Sequence, residues 1–176
     1  MTQTLLHVRD LKTYFRTYWG VVKAVDGANF KLEAGDVLGI VGETGCGKTV
    51  TGLSILGLIP SSGGVTGEIV FEEENLLRKS EKEMREIRGA KISMIFQEPM
   101  SCLNPVLTIG DQITDVIVQH QRKSRKEASE MALQLLKLVG LPDPNRTLKQ
   151  YPHELSGGMR QRAMIAMALS CNPVLL

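Results

Sequence analysis

An α/β fold follows from three observations on the 176-residue chain. Asp36-Val-Leu-Gly-Ile-Val41 is a short apolar run of strand type, Gly42-Glu-Thr-Gly-Cys-Gly-Lys-Thr49 is a glycine-rich loop, and the mostly apolar stretch from Val50 to Leu58 has helical length. Strand, glycine loop and helix in that order make the supersecondary unit of a phosphate-binding loop. Gly42, Gly47, Lys48 and Thr49 fill every defining position of G-x-x-x-x-G-K-S/T. Each residue type has a chemical reason. Glycines let backbone N–H groups turn inward around phosphate oxygens, a lysine ammonium meets the β- and γ-phosphates, and a hydroxyl coordinates Mg²⁺. A nucleoside triphosphate is the leading ligand, set against the plainer reading of a glycine turn that happens to precede Lys and Thr.

The flanking elements follow in chain order. Leu5 to Phe15 and Val21 to Leu32 alternate with β-branched and aromatic residues, as two strands joined by a turn at Trp19-Gly20 would. After the loop helix, Pro60-Ser-Ser-Gly-Gly64 breaks the chain, and Gly67 to Glu72 resumes a strand pattern. Ser80 with Glu83 three residues on is a capping-box signature, so a short charged helix is expected from Ser80 to Arg88. Lys91 to Gln97 reads as a further strand. From Pro99 the texture becomes helical, with apolar positions at Ile109, Ile113, Val116 and Ile117, then a second helix from Ser124 to Val139 that stops abruptly at Gly140-Leu-Pro-Asp-Pro144. A helix from Met159 to Ser170 comes next, and Val174-Leu-Leu176 resembles the start of a strand.

Composition narrows the class. A chain of 176 residues buries one ordinary core with a smaller subdomain appended. Net charge +2 with 23% charged residues gives no electrostatic case for a nucleic-acid partner or a strongly anionic membrane. The basic run Arg122 to Lys126 is read as a solvated helix start. Cys46, Cys102 and Cys171 are odd in number, widely spaced and without a C-x-x-C pair, which argues against a disulfide framework or metal knuckle and for a reducing cytoplasm. The amino end has no signal-peptide pattern, and no apolar run approaches membrane-spanning length. A cytoplasmic location is expected.

A second motif lies near the carboxyl end. Leu155-Ser-Gly-Gly-Met-Arg-Gln-Arg162 places a serine and two glycines at the mouth of a helix, where unpaired N–H groups and the positive dipole end make an anion site. Alone this is an ordinary helix start; beside the first loop it reads as a second phosphate binder. With Gln97, the two segments resemble the nucleotide-binding subunits of ATP-binding cassette transporters, from about residue 4 to the last residue. Phe96-Gln-Glu-Pro-Met-Ser-Cys-Leu-Asn-Pro105 and Tyr151-Pro-His-Glu-Leu-Ser-Gly-Gly-Met-Arg-Gln-Arg162 are similar to the oligopeptide/dipeptide importer branch.

The resemblance implies a P-loop NTPase (RecA-like) core with an N-terminal antiparallel β-subdomain over residues 1–98, an inserted helical subdomain over 99–155, and the signature helix with the start of the Walker B strand over 156–176. It implies that Gly42, Glu43, Thr44, Gly45, Cys46, Gly47, Lys48 and Thr49 wrap the phosphates, with Val50 beginning the helix. Thr49 and Gln97 would reach Mg²⁺, and Lys48 and Gln97 would carry the chemistry. Ser156, Gly157, Gly158 and Gln161 would close on ATP held by a second nucleotide-binding subunit, homo- or heterodimeric, in a head-to-tail sandwich. The helical subdomain would meet membrane-spanning permease subunits, placing the protein on the inner face of the cell membrane. An aromatic near the start usually stacks on adenine in this family. Tyr14 matches best, with Phe15 and Trp19 as rivals and inter-strand packing as the other reading for Tyr14.

Cys46 stands where serine is more common and, beside Lys48 and a helix start, is a possible alkylation target that ATP should shield. His153 is read as structural. The family's acidic end of Walker B, its catalytic glutamate and its switch histidine have no counterpart in residues 1–176. The chain is therefore expected to be truncated before the end of Walker B, with binding retained, turnover lost and a sheet edge uncovered.

Overall fold

In the computed structural model, which describes residues 4–98 and 102–176, the amino-terminal alternation becomes two long strands, β1 (Thr4–Thr17) and β2 (Gly20–Glu33). They pair antiparallel with Thr17 opposite Gly20, so the turn is Tyr18-Trp19, one residue before the Trp19-Gly20 expected from the sequence. β3 (Gly63–Phe71) runs along the other edge of β1, and β4 (Glu74–Asn75) completes a sheet of order β2-β1-β3-β4. Leu6, Val8 and Leu11 of β1 are buried, as are Val25 and Leu32 of β2 and Ile69 and Phe71 of β3. Pairing passes from Thr13 opposite Val25 to Tyr14 opposite Lys23, which leaves Ala24 as an extra, bulged residue in β2.

The phosphate-loop helix α1 (Lys48–Ile55) lies against this sheet, with the buried Thr13 and Ser54 hydroxyls 2.7 Å apart. The strand expected over 36–41 pairs with no ladder among the described residues. Val37 and Val41 are 98% and 95% exposed. Its apolar run is the pattern of a strand buried in a parallel sheet, and such a strand is defined by neighbours on both sides rather than by its own residues. Lys91 to Gln97 likewise forms no full strand. Ile92 makes parallel bridges to Arg88 and Leu175, and Ser93 N donates to Leu175 O at 2.9 Å. The strand beginning expected at Val174 is thus present as a single bridge.

The described residues cluster into two compact units divided between Met84 and Arg85. The division falls inside α2 (Glu81–Ile87), which opens on the expected box: Glu83 accepts from Ser80 N at 2.8 Å, and Ser80 Oγ accepts from Glu83 N at 3.4 Å. The second unit is helical: α3 (Ile109–Gln121), α4 (Arg125–Leu138), α5 (Pro144–Thr147) and α6 (Gly157–Leu169). Ile109, Ile113 and Ile117 recur every fourth residue on α3 and meet Ala128, Ala132 and Leu136 of α4 and Ala163 and Ala166 of α6. The alanines let the helices approach closely. Gly140, at φ +69°, ends α4 where the abrupt stop was expected. The short α5 was not anticipated there. Asp143 accepts from Arg146 N and Pro144 takes the first helical position, so the same Pro-Asp-Pro segment that stops one helix starts another.

Candidate functional site

The phosphate loop is shaped by two glycines, of which Gly47 admits no replacement. Gly47 caps α1 in the left-handed region, at φ 92°, and a Cβ built there would collide with the Ala24 carbonyl of the β2 bulge. A Cβ on Gly42 would run into Cys46 Sγ. Thr51 N donates to Gly47 O at 2.8 Å, closing the first helical turn. Lys48 Nζ donates to the carbonyls of Gly42 and Glu43, both at 2.7 Å, and lies 3.3 Å from Cys46 Sγ, so the ammonium is held over its own loop. Glu43, Thr44, Gly45, Cys46 and Thr49 are exposed and Val50 is half-buried. A cradle closed to side chains, a converging ammonium and an exposed hydroxyl at the helix start fit a triphosphate with Mg²⁺.

The three aromatics proposed for the base differ in place. The Tyr14 hydroxyl donates to Asp26, whose carboxylate also takes Lys23 Nζ at 3.3 Å, while that ammonium lies 5.3 Å from the Tyr14 ring centre. The hydrogen bonds from Tyr14 and then from Lys23 hold the Asp26 carboxyl below the usual range. Phe15 shares the face of β1 that carries Thr13 against α1, and its ring and Ile59 crowd Gly63. Trp19 is 92% exposed at the hairpin turn, edge-on to Tyr18.

In the helical unit, Ser156 caps α6 by accepting from Met159 N at 3.4 Å. Side chains at Gly157 or Gly158 would meet nothing within 4 Å, so packing does not call for glycine at either position. What glycine leaves there is bare, accessible N–H at a helix start. Gln161 is exposed one turn along, and Leu155 is buried as the anchor behind the motif. Sequence reasoning overlooked two supports of this segment. Glu154 accepts from Tyr151 N at 2.7 Å, and Arg160 Nε donates to Pro152 O at 2.7 Å, so the turn leading to Ser156 is tied to the helix that it starts. Neither had a sequence signal: tyrosine is not a capping residue, and only the Glu154 half of a capping box is made. His153 stacks on Tyr151 at 5.6 Å between ring centres.

Gln97 is exposed at the end of the 91–97 segment, and Pro99, Met100 and Ser101 lie outside the described residues. Among the described residues there is no cluster of three or more potential metal ligands of the His, Cys, Asp or Glu type, and no helix is long and apolar enough to cross a membrane.

A glycine loop with converging lysine, set against the β2 bulge of an antiparallel sheet, and a helical unit with its own glycine-led helix start define an α/β protein of the P-loop class. Residues 25–176 match the ABC transporter family, and the chain belongs to it. It is 54% identical to the dipeptide transport ATP-binding protein DppD of Bacillus subtilis over 99% of this chain and 52% of that protein. The oligopeptide transport ATP-binding protein AppD of the same organism is 52% identical over 98% of this chain and 53% of its own length. The chain thus spans about half the length of the curated relatives it matches. Among solved structures, the dimeric bacterial ABC transporter cassette MJ0796 superposes with a TM-score of 0.85 at 27% identity, covering 96% of this chain and 71% of that one. The same cassette, solved in a post-hydrolysis state, is bound to ADP and phosphate.

Proposed function

We propose that the chain is the ATP-binding, energy-coupling part of an ABC importer for dipeptides or oligopeptides. The observation that carries this is the loop Gly42–Thr49, with Gly47 pressed on Ala24 and Lys48 turned over the cradle, in a chain at least half identical to dipeptide and oligopeptide transport ATP-binding proteins. Gly42 to Thr49 hold the phosphates, the Thr49 hydroxyl and Gln97 take Mg²⁺, and Phe15 is the base-stacking aromatic. Phe15 is favoured because it occupies the face that bears α1, whereas Tyr14 is committed to Asp26 and Lys23.

Ser156, Gly157, Gly158 and Gln161 present the second cradle to ATP on a partner nucleotide-binding subunit, a reading supported by their accessible N–H groups and by the dimeric form of MJ0796. The helical segment 99–155 offers the surface for membrane-spanning subunits at the inner face of the membrane. When bound, Mg²⁺ neutralises phosphate charge; the chain's own residues bind and orient.

For residues 1–176 the proposed activity is binding, because the water-orienting carboxylate of the family pattern is not among them. The test is a titration of the purified chain with ATP and Mg²⁺, alongside phosphate release, for the parent and Lys48→Ala. Saturable binding lost at least tenfold in Lys48→Ala, without phosphate release, supports the proposal. Absence of binding defeats it, and Lys48-dependent hydrolysis would make this stretch an ATPase in its own right.

A further inference from the structure

We propose that the tip of the β1–β2 hairpin, from Arg16 to Lys23, is a lipid-contacting surface that docks on the interface of an anionic bilayer. The inference goes beyond the transporter reading and needs no permease subunit. Tyr18 and Trp19 are 90% and 92% exposed, and Val21 and Val22 beside them are 61% and 52% exposed. These four side chains follow one another around one turn, interrupted only by Gly20. The two rings lie edge-on, 5.0 Å between centres. The turn beneath them is tied down. Thr17 Oγ1 donates to Gly20 O at 2.8 Å, Gly20 sits at φ +127°, and Arg16 N donates to Ser62 O at 2.9 Å in the segment before β3. A fixed turn that keeps two aromatic rings in water forgoes the burial that would stabilise them, which points to a partner surface.

Charge decides what that partner is. Arg16 lies opposite Val21 and Tyr14 opposite Lys23, so Arg16 and Lys23 stand on one face of the hairpin, neighbours along a diagonal. Lys23 Nζ meets Asp26 at 3.3 Å, whereas the Arg16 guanidinium has no ion-pair partner among the described residues. No Asp or Glu occurs from Leu11 to Val25, nor from Leu58 to Gly67, the stretch whose β3 residues pair with Phe15 and Tyr14 just below the tip. The net charge of +2 gives the whole chain no general attraction to an anionic membrane, yet this end of the sheet is locally cationic. Tryptophan and tyrosine favour the boundary between headgroups and acyl chains, which accommodates an apolar ring with a polar N–H or O–H, and Arg and Lys there meet lipid phosphate. Two tips of the same chain would bring like charges together. A base stacked on Trp19 would leave Tyr18, Val21 and Val22 in water.

Trp19 is the chain's single tryptophan, so its emission reads the tip directly. The full chain, without nucleotide, is titrated with vesicles of equal parts phosphatidylcholine and phosphatidylglycerol, and in parallel with vesicles of phosphatidylcholine alone. On the anionic vesicles the emission is expected to shift to the blue and to be quenched by brominated acyl chains, with binding to the neutral vesicles about tenfold weaker. Arg16→Gln should weaken anionic binding about fivefold, and Arg16→Gln with Lys23→Gln about twentyfold. Trp19→Ser, read by co-sedimentation, and Tyr18→Ser, which keeps the reporter, should each bind several times less. All four positions are exposed, and unchanged thermal unfolding of each variant checks that the fold is intact. An emission unmoved by anionic vesicles overturns the proposal, as does equal binding to both kinds of vesicle or undiminished co-sedimentation of Trp19→Ser. So does a blue shift of the same size without lipid, on raising the protein concentration or on adding ATP, which would make the tip a self-association or base-binding surface.

Discussion

Ser156 opens a helix whose inner face is buried at Ala163 and Ala166 among α3 and α4, while the loop Gly42–Thr49 follows a segment whose Val37 and Val41 are almost wholly exposed. Both segments present backbone N–H groups at a helix start and are the two cradles proposed for phosphate. One is supported by a core made of residues near it in sequence, fixed further by Glu154 and Arg160. The other is gripped on one side by the β2 bulge and has no sheet partner on the strand that leads into it, among the described residues. A helix start carries most of its order in its own hydrogen bonds, whereas a loop after a parallel strand borrows order from distant segments. Ligand binding should therefore change the first cradle more than the second.

The largest effect expected from this contrast is ligand-induced protection. At one hundred times its Kd, ATP with Mg²⁺ stabilises the state it binds by about 2.7 kcal/mol. Hydrogen exchange should slow across 36–55 and stay nearly unchanged across 155–162 in the isolated protomer. Cys46, exposed 3.3 Å from the Lys48 ammonium, should be alkylated several times more slowly under the same conditions. Equal protection of both segments at protomer concentrations too low to dimerise would erase the distinction.

A smaller effect tests the locally built side. Ser156→Ala removes the side-chain cap of α6 and should cost about 1 kcal/mol, read as faster exchange at Gly157 to Met159 with the 36–55 segment unmoved.

The smallest effect is acid sensitivity. Hydrogen bonds from Ser80 and Ser124 hold the Glu83 and Glu127 carboxyls below their ordinary value. A carboxyl depressed on folding contributes stability above its unfolded pKa of about 4.3, and that contribution is lost as pH falls through the lower folded value. The helices α2 and α4 should then fray at their first turns below about pH 4. Ser124→Ala should unfold at lower temperature than the parent at pH 7, and the gap should narrow near pH 3 without closing, because Ser124 Oγ also accepts from Glu127 N at 3.3 Å. α1 starts on Gly47 without a side-chain cap and should show no matching pH step.

Legibility followed the same division. The hairpin strands, the capping box at Ser80, the helix start at Ser124 and the helix stop at Gly140 were readable because propensity and patterning act within a few residues, while the capping box at Ser124 went unread. The phosphate loop was readable because its chemistry permits few residue types. The strands at 36–41 and 91–97 were placed by their apolar runs, yet pairing is a property of neighbours, and only the bridges at Ile92 are made. Arg160 could not be found from sequence, since a lone Arg on a helix is usually a solvated side chain. Ala24 was equally silent: the atom that matters is its carbonyl oxygen, which every residue possesses.

That last contact has a consequence for substitution. Because a main-chain oxygen acts as the mould against which position 47 is cast, no replacement at position 24 can enlarge the gap by trimming a side chain. Tolerance is therefore lopsided: Ala24 is free to vary in chemical identity so long as the extra residue in β2 persists, while position 47 admits only hydrogen. Deleting one residue from that edge of the hairpin would disturb phosphate recognition more than many exchanges of its side chains.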